Sequence, residues 1–333
     1  LGKSVRGLHH WGAGARVSLG FCHLMVSCLH GSYAAPRQVT WITGACLFLV
    51  VLGLGFTGYL LPWDMKAYWA TVVGANIPDQ VPAVGNYVTR VILGGETISG
   101  FTLTRFYSVH TLVLPACLLL FMAVHIYLIR IHNISDPRER IAGEKLPPES
   151  GKPYRFYPEH TNRSSLGFGV LFLLLVLLAA FADPPMEQKA GTFIADYLPR
   201  PEWYYMWLFQ LLTYFTGAWE LVGTIFLFLG GLIVLFGVPF FSESKLKGVG
   251  NRPVSIAIAA SFVVCMVYLT AMAYSEAAPY NKTVLAPSRA MTDAERKGLF
   301  TYVDQECSYC HNILGQGGHR TGPGMSNMAR KKR

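Results

Sequence analysis

The chain has 333 residues, of which 52% are hydrophobic and only 14% are charged, and its mean hydropathy is +0.34. These values exclude disordered and collagen-like chains and indicate a protein that crosses a membrane several times. The formal net charge of +9 is typical of Lys and Arg retained in cytoplasmic loops, so we expect no nucleic-acid partner.

Six stretches are apolar and long enough to cross a bilayer as helices, which takes about 20 residues each. They lie near 8–30, 39–61, 106–130, 166–183, 219–241 and 253–274. The first is the least hydrophobic because it carries several His, Gly and Ser residues. We therefore expect an all-α fold, a polytopic bundle of six transmembrane helices.

Basic residues are concentrated in the connections that follow the first, third and fifth spans. The positive-inside rule therefore places three connections in the cytoplasm, namely 31–38, 131–165 and 242–252. Both ends of the chain then face outward, and so does the polar segment 275–333. The outward connection 62–104 contains amphipathic stretches and Gly-rich breaks, and loops of such length are usually functional.

Two of the spans carry histidines at nearly equal spacing. His9 and His23 are 14 residues apart on the first span, about 40° from one face and roughly 21 Å apart along the axis. His110 and His125 are 15 apart on the third span, about 60° from one face and roughly 22 Å apart. Because these spans run in the same direction, His9 can face His110 near the outer surface and His23 can face His125 near the inner surface.

Paired histidines at these depths suit two haem groups. Two neutral imidazoles fill both axial positions of one haem iron, which favours electron transfer over oxygen binding. The alternative is that each histidine is a lone polar residue bonded to a neighbouring helix. Two matched pairs favour ligation, since ionisable groups inside a membrane are costly and mostly functional. His10 is out of register with His23, so we expect His9 to be the outer ligand.

Glycines on the second span match this spacing. Gly44 and Gly58 are 14 residues apart. A glycine inside a helix is unfavourable unless the missing side chain makes room for something large. We expect two porphyrins at these depths, and close packing of helices through small residues is the alternative.

Three strings resemble cytochrome b of bc-type quinol oxidoreductases. They are Leu60-Leu-Pro62-Trp63-Asp64, Leu103-Thr-Arg105-Phe-Tyr-Ser-Val-His110 and Pro201-Glu-Trp-Tyr204. The resemblance covers about residues 1 to 275 and is closest to the b6f branch, with its two parts fused. It implies a b6-like di-haem domain over 1–165, a subunit IV-like domain over 166–275 and a partial cytochrome c-like domain over 276–333.

The resemblance implies a subunit of a quinol:cytochrome c, or plastocyanin-like, oxidoreductase in an energy-transducing inner membrane. Quinol oxidised on the outer side would pass one electron to a Rieske iron–sulfur protein. The other electron would cross two b haems to a quinone near the inner side, building a proton gradient. The expected partners are a c-type cytochrome or similar acceptor, membrane lipids and a second copy within a homodimeric multi-subunit complex.

The quinol site implied by the resemblance lies between the 59–74 region and the loop that contains Glu202. Glu202 is the expected proton acceptor, because a carboxylate at a membrane boundary can be tuned for that work; on its own it also fits a solvated loop acid. Tyr59 and Tyr204 are candidate wall or hydrogen-bonding groups. Close to the outer haem ligands, Arg6 and Arg105 are candidate partners of a haem propionate, and interface arginines are the competing interpretation.

The outward C-terminal segment contains Cys307-Ser-Tyr-Cys310-His311. Cys307 and Cys310 can form thioether bonds to haem vinyl groups, and His311 then supplies an axial ligand. This predicts one covalently attached haem c on the periplasmic side. The family's first helix and the distal Met ligand of the c haem are expected outside this chain. An extra haem at the inner side depends on that first helix and stays open.

Two other functions remain open. A di-haem b membrane anchor would only relay electrons between quinone and a separate dehydrogenase, and it needs no site like the Glu202 loop. A transporter without haem would show no absorbance near the b-haem α-band.

Overall fold

A computed structural model describes residues 2–135, 155–190, 200–215, 219, 221–241, 248–275, 291–304 and 307. Its α-helices in chain order are α1 (Gly2–Leu29), α2 (Gln38–Tyr59), α3 (Met65–Asp79), α4 (Gly85–Leu93), α5 (Gly100–Ser108), α6 (Leu114–His132), α7 (Thr161–Phe181), α8 (Trp203–Thr213), α9 (Leu227–Gly237), α10 (Pro253–Ser275) and α11 (Asp293–Asp304). Turns of π-helix extend α6 and α9 at their N-terminal ends, and the segment Phe156–His160 before α7 is kinked at Tyr157, whose backbone is extended (φ −120°, ψ 134°). The predicted all-α class is confirmed.

Within the described residues, six helical segments are long and apolar enough to cross a membrane. They are Gly2–Leu29, Gln38–Tyr59, Gly100–His132, Phe156–Phe181, Val222–Phe240 and Pro253–Ser275. The six predicted spans are therefore confirmed, although the first, third and fourth begin earlier than the apolar stretches do. Each of these three segments starts in polar residues that precede its apolar part, so hydropathy alone places the start too late.

The outward connection between the second and third spans is largely helical. Asp64 begins α3, since its Oδ1 accepts a hydrogen bond from the backbone N–H of Ala67 at 2.8 Å. Helix α4 ends at Gly94, whose φ of 78° is a left-handed conformation that glycine adopts without strain. Ser99 and Thr102 form a capping box that begins α5. These caps fix where the short helices begin and end, and the helices occupy the amphipathic stretches predicted from the sequence.

One end of the bundle gathers the start of α1, the end of α2 and the end of α7. The Trp11 indole N–H donates to the Ala182 carbonyl at 3.0 Å, and Gly7 packs directly against Ala179. The segment after α7 pairs with the start of α3, where the Met65 N–H donates to the Gln188 carbonyl at 2.8 Å. This end carries His9 and the Glu202 loop, and the predicted orientation makes it the outer end.

The opposite end is closed by hydrogen bonds between the other helix termini. The Trp41 indole N–H of α2 donates to the Leu235 carbonyl of α9 at 2.7 Å. Arg37 Nη2 donates to the His132 carbonyl at the end of α6, at 3.0 Å. Within the bundle, α2 packs along α6 and α1 packs along both α2 and α7. The helices that carry the paired histidines are thereby held around α2.

Candidate functional site

The outer histidine pair joins α1 to the start of α6. The rings of His9 and His110 have centroids 6.2 Å apart and planes inclined at 83°. His110 Nδ1 lies 3.1 Å from the Leu54 carbonyl and 3.3 Å from Thr57 Oγ1. A carbonyl only accepts, so Nδ1 carries the proton, and the Nε2 of a neutral ring is left as a free ligand atom.

His10 lies next to this pair and has a different neighbour. Its ring packs edge-on against Trp11, with centroids 5.0 Å apart. The structure therefore brings His9, and not His10, against His110.

The inner histidine pair lines one cavity of about 790 Å³, with His23 from α1 and His125 from α6. Thr43 Oγ1 donates to the Thr40 carbonyl at 2.9 Å and lies 3.0 Å from His125 Nδ1. With its own proton used, the hydroxyl accepts from Nδ1–H of His125. The Nε2 of His125 is then left as a ligand atom, as it is in the outer pair.

A Thr-Gly pair occurs twice on α2 and faces the two α6 histidines. Thr43 and Thr57 hold the ring nitrogens, and the glycine that follows each one makes room for the ring. A Cβ on Gly44 would lie 3.1 Å from His125 Cε1, and one on Gly58 would lie 2.5 Å from His110 Cε1. Each glycine thus accommodates an imidazole directly, while its contact with a porphyrin stays a prediction.

A π-helical turn explains the unequal spacing of the two histidine pairs. Residues Val109–Val113 form this turn, and the Leu114 N–H bonds to the Val109 carbonyl five residues earlier. Pro115 follows, and it lacks the N–H that an α-helical bond to residue 111 would need. A π-turn inserts about one extra residue, so the 15 residues from His110 to His125 correspond to the 14 residues from His9 to His23 on α1.

The outer pair has the ring separation, and the inner pair the cavity, that a haem needs. Imidazole nitrogens lie about 2 Å from a metal and roughly 1.1 Å from their own ring centre, so two imidazoles across one metal have centres about 6 Å apart. The 6.2 Å of His9 and His110 matches this separation. The inner cavity is within the roughly 300–1,000 Å³ of cofactor sites. Thr43 and Thr57 supply the second hydrogen bond that metal-ligating histidines usually have.

The Glu202 loop meets the start of α3 near the outer pair. Glu202 Oε1 and Lys66 Nζ form an ion pair at 2.7 Å, with side chains only 17% and 19% exposed. Tyr204 contacts α2 at Gly55, where an added Cβ would lie 2.7 Å from its hydroxyl. Burial, and next the negative charge of Glu202, raise the pKa of Tyr204, so its hydroxyl stays protonated. Tyr59, at the end of α2, packs edge-on against Phe56.

The two candidate propionate arginines contact other groups. Arg6 donates to Met186 Sδ, in the segment after α7. Arg105 donates to the Val91 carbonyl near the end of α4. Their proposed contacts with a propionate stay predictions.

The candidate c-haem motif lies almost entirely outside the described residues. Cys307 is half-buried, while Cys310 and His311 are not described. The covalent haem c and the cytochrome c-like domain stay predictions.

Sequence reasoning missed Thr43, Thr57 and Lys66. The two threonines had a signal, since Thr43-Gly44 and Thr57-Gly58 repeat with the spacing of the histidines. Lys66 had none, because its partner Glu202 lies 136 residues away in the chain.

Two family models match the chain. Residues 17–190 match cytochrome b(N-terminal)/b6/petB, and residues 199–291 match cytochrome b(C-terminal)/b6/petD. The chain belongs to the cytochrome b/b6 family. Membership of this family implies haem b as the cofactor and electron transport in a membrane as the setting.

Two relatives within the cytochrome b/b6 family come from bacteria. The chain is 36% identical over 248 residues to the cytochrome bc complex cytochrome b subunit of Chlorobaculum thiosulfatiphilum, covering 73% of this chain and 56% of that protein. It is 47% identical over 138 residues to the menaquinol:cytochrome c reductase cytochrome b subunit of Bacillus subtilis (strain 168), covering 41% of this chain and 62% of that protein. The chain thus spans less than two thirds of the length of these relatives.

A solved structure shares the cytochrome b fold. It is a chain of a hyperthermophilic respiratory Complex III, similar with a TM-score of 0.71 at 22% identity. The match covers 92% of this chain and 76% of that one. At this identity the likeness shows the fold alone.

Proposed function

We propose that this chain is the cytochrome b subunit of a bc- or b6f-type quinol:cytochrome c oxidoreductase. It oxidises quinol at an outer-side site and passes electrons across the membrane through two bis-histidine b haems. The observation that carries the proposal is the pair of histidine sites at two depths, each with one ring oriented by a threonine of α2. Haem b, when bound, supplies reversible one-electron transfer.

The protein's own groups hold and orient these cofactors. His9 and His110 would hold the outer haem, and His23 and His125 the inner one. The Leu54 carbonyl and Thr57 Oγ1 both accept a hydrogen bond from His110 Nδ1–H, and Thr57 can accept because its own hydroxyl donates to the Gly53 carbonyl at 2.8 Å. The two ligands on α1 are about 21 Å apart along the axis, which spans most of the bilayer core.

The Lys66–Glu202 pair supports the site of quinol oxidation. Oxidation of quinol to quinone releases two protons and two electrons, so the site needs a proton acceptor beside an apolar slot. Glu202 takes a proton from a quinol hydroxyl, and Lys66 holds the carboxylate in place at 2.7 Å. Tyr204 stays neutral and offers its hydroxyl as a hydrogen-bond donor, with Tyr59 at the nearby end of α2.

The wider assignments form part of the same proposal. The chain divides into a di-haem domain over 1–165, a subunit IV-like domain over 166–275 and a c-type domain from 276 onward. The c domain carries a haem on Cys307, Cys310 and His311 on the periplasmic side. The partners are a Rieske protein, which takes the other electron, a c-type acceptor, lipids and a second copy of the complex. Protons are released outside and taken up inside.

The proposal is tested by haem content and quinol turnover in the purified complex. His110→Ala should remove one of the two b haems and abolish quinol oxidation. His10→Ala is the matched control, because its ring packs on Trp11, and it should keep both b haems. Retention of both b haems in His110→Ala would overturn the ligand pairs. A chain that binds both haems but shows no quinol oxidation with its Rieske partner present would instead fit a di-haem anchor.

A further inference from the structure

Arg16 is a charged residue inside a membrane-spanning helix. It is 8 residues from Leu8, where the apolar stretch begins, and 13 from Leu29, where α1 ends. At 1.5 Å per residue these two points are roughly 12 Å and 20 Å away, which is farther than a guanidinium reaches by extending along the helix. Charged side chains at such a depth are rare and generally functional.

The position of Arg16 on α1 directs it toward the haem ligands. Arg16 follows His9 by seven residues and precedes His23 by seven. Seven residues are about two helical turns, so Arg16 is rotated by only about 20° around the helix from His9, and His23 by about 20° from Arg16. Arg16 also lines the 790 Å³ cavity that contains His23 and His125.

The charges around this cavity are all basic. Besides Arg16 and the two ligands, its titratable lining residues are Tyr33, Arg37 and His132. Arg37 is engaged at the inner end, where it donates to the carbonyls of His132 and Asn133. In the described part of the chain, no carboxylate lines the cavity and none forms an ion pair with Arg16. The positive charge of Arg16 therefore stabilises negative charge that a group bound in the cavity gains.

We propose that Arg16 tunes the haem held by His23 and His125, raising its midpoint potential relative to that of the outer haem. This inference rests on the proposed function. Each electron accepted lowers the charge of a haem site by one, so a nearby fixed positive charge stabilises the reduced form. Electron movement from the outer to the inner site then becomes more favourable. Arg16 touches neither quinol nor the reacting atoms, so its effect is on potential and not on chemistry.

The test is a redox titration of the purified complex, followed at the b-haem α-band. Arg16→Met should change the equilibrium constant for one electron distributed between the two haems at least tenfold, in favour of the outer haem. This change equals a fall of about 59 mV in one of the two midpoint potentials. Arg16→Lys keeps the charge and should stay near the wild-type value. Arg90→Met removes a charge from an exposed ion pair with Glu96 and serves as the control.

Threonine variants assign the two titration waves. Thr43→Val perturbs only the inner ligand His125, so the titration wave that it shifts belongs to the inner haem. Thr57→Val perturbs only the outer ligand His110, so the wave that it shifts belongs to the outer haem. The proposal fails if Arg16→Met leaves the wave marked by Thr43→Val unmoved, or if Arg16→Lys moves it as far as Arg16→Met does. Should Arg16→Met lose the inner haem, Arg16→Gln provides a neutral polar variant, and an unmoved wave there overturns the proposal.

Failure of this inference is distinct from failure of the proposed function. If the wild-type complex contains two b haems and Arg16→Met has no effect on either wave, only the role of Arg16 is wrong. If the wild-type complex contains no b haem, the proposed function itself is wrong.

Discussion

Replacing Gly58 by alanine should displace His110 and empty the outer haem site. The added Cβ would lie 2.5 Å from His110 Cε1, about 0.9 Å short of the 3.4 Å at which ordinary contact begins. Metal–ligand distances tolerate only about 0.2 Å, so a ring moved this far can no longer ligate. The surrounding helix also has little room to adjust, and overpacking of this kind typically costs about 1–3 kcal/mol.

The same helix provides a graded series for this experiment. At Gly44 the added Cβ would lie 3.1 Å from His125 Cε1, a shortfall of only about 0.3 Å. At Gly53 it would lie 3.6 Å from Leu114, which is an ordinary contact. We expect Gly53→Ala to keep both b haems, Gly44→Ala to keep both with an altered potential, and Gly58→Ala to lose one.

The assay is haem b per chain, measured as the pyridine haemochrome of the purified protein, together with the reduced-minus-oxidised spectrum. Gly58→Ala should contain about half of the wild-type haem b. Retention of both haems with wild-type spectra in Gly58→Ala would show that the added Cβ does not displace His110. A larger loss of haem in Gly44→Ala than in Gly58→Ala would contradict the order of the two contacts.

Three other predictions concern the hydrogen bonds and the ion pair. Thr57→Val should shift the midpoint potential of one b haem and leave the other unchanged; equal shifts in both would show that Thr57 does not act through His110. Glu202→Gln should slow quinol oxidation while both b-haem spectra stay intact, and loss of b haem would contradict its assignment to the quinol site. Lys66→Met should slow quinol oxidation too, and because the two side chains form one pair, the double variant should be no slower than Glu202→Gln; additive losses in a double-mutant cycle would refute this.

The six spans could be predicted from sequence because their apolar stretches are long and nearly free of charge. Their ends were less predictable. The third span begins at Gly100, where Ser99 and Thr102 cap it, six residues before the apolar run is evident. Capping is a local hydrogen-bond effect and leaves hydropathy unchanged.

The pairing of His9 with His110 could also be expected from spacing, but the mismatch of one residue could not be resolved. Its cause is the π-helical turn Val109–Val113, which requires knowledge of the backbone. Pro115 was a visible signal of a break in the helical hydrogen bonds. Whether such a break becomes a kink or a π-turn depends on packing against neighbouring helices, which the sequence alone does not state.

The least predictable contacts join distant parts of the chain. Lys66 and Glu202 approach to 2.7 Å across 136 residues of sequence, and the segment after α7 likewise pairs with the start of α3. Arg6 and Arg105 illustrate the reverse case. Their sequence positions near the haem ligands suggested propionates, whereas the structure gives them Met186 and the Val91 carbonyl as partners.

The central claim is that this chain holds two haems between two pairs of histidines. It is tested most directly by haem stoichiometry and low-temperature electron paramagnetic resonance on the oxidised wild-type complex. We expect two b haems per chain, both low-spin with two histidine ligands. A single b haem, or a high-spin signal from either site, would contradict it.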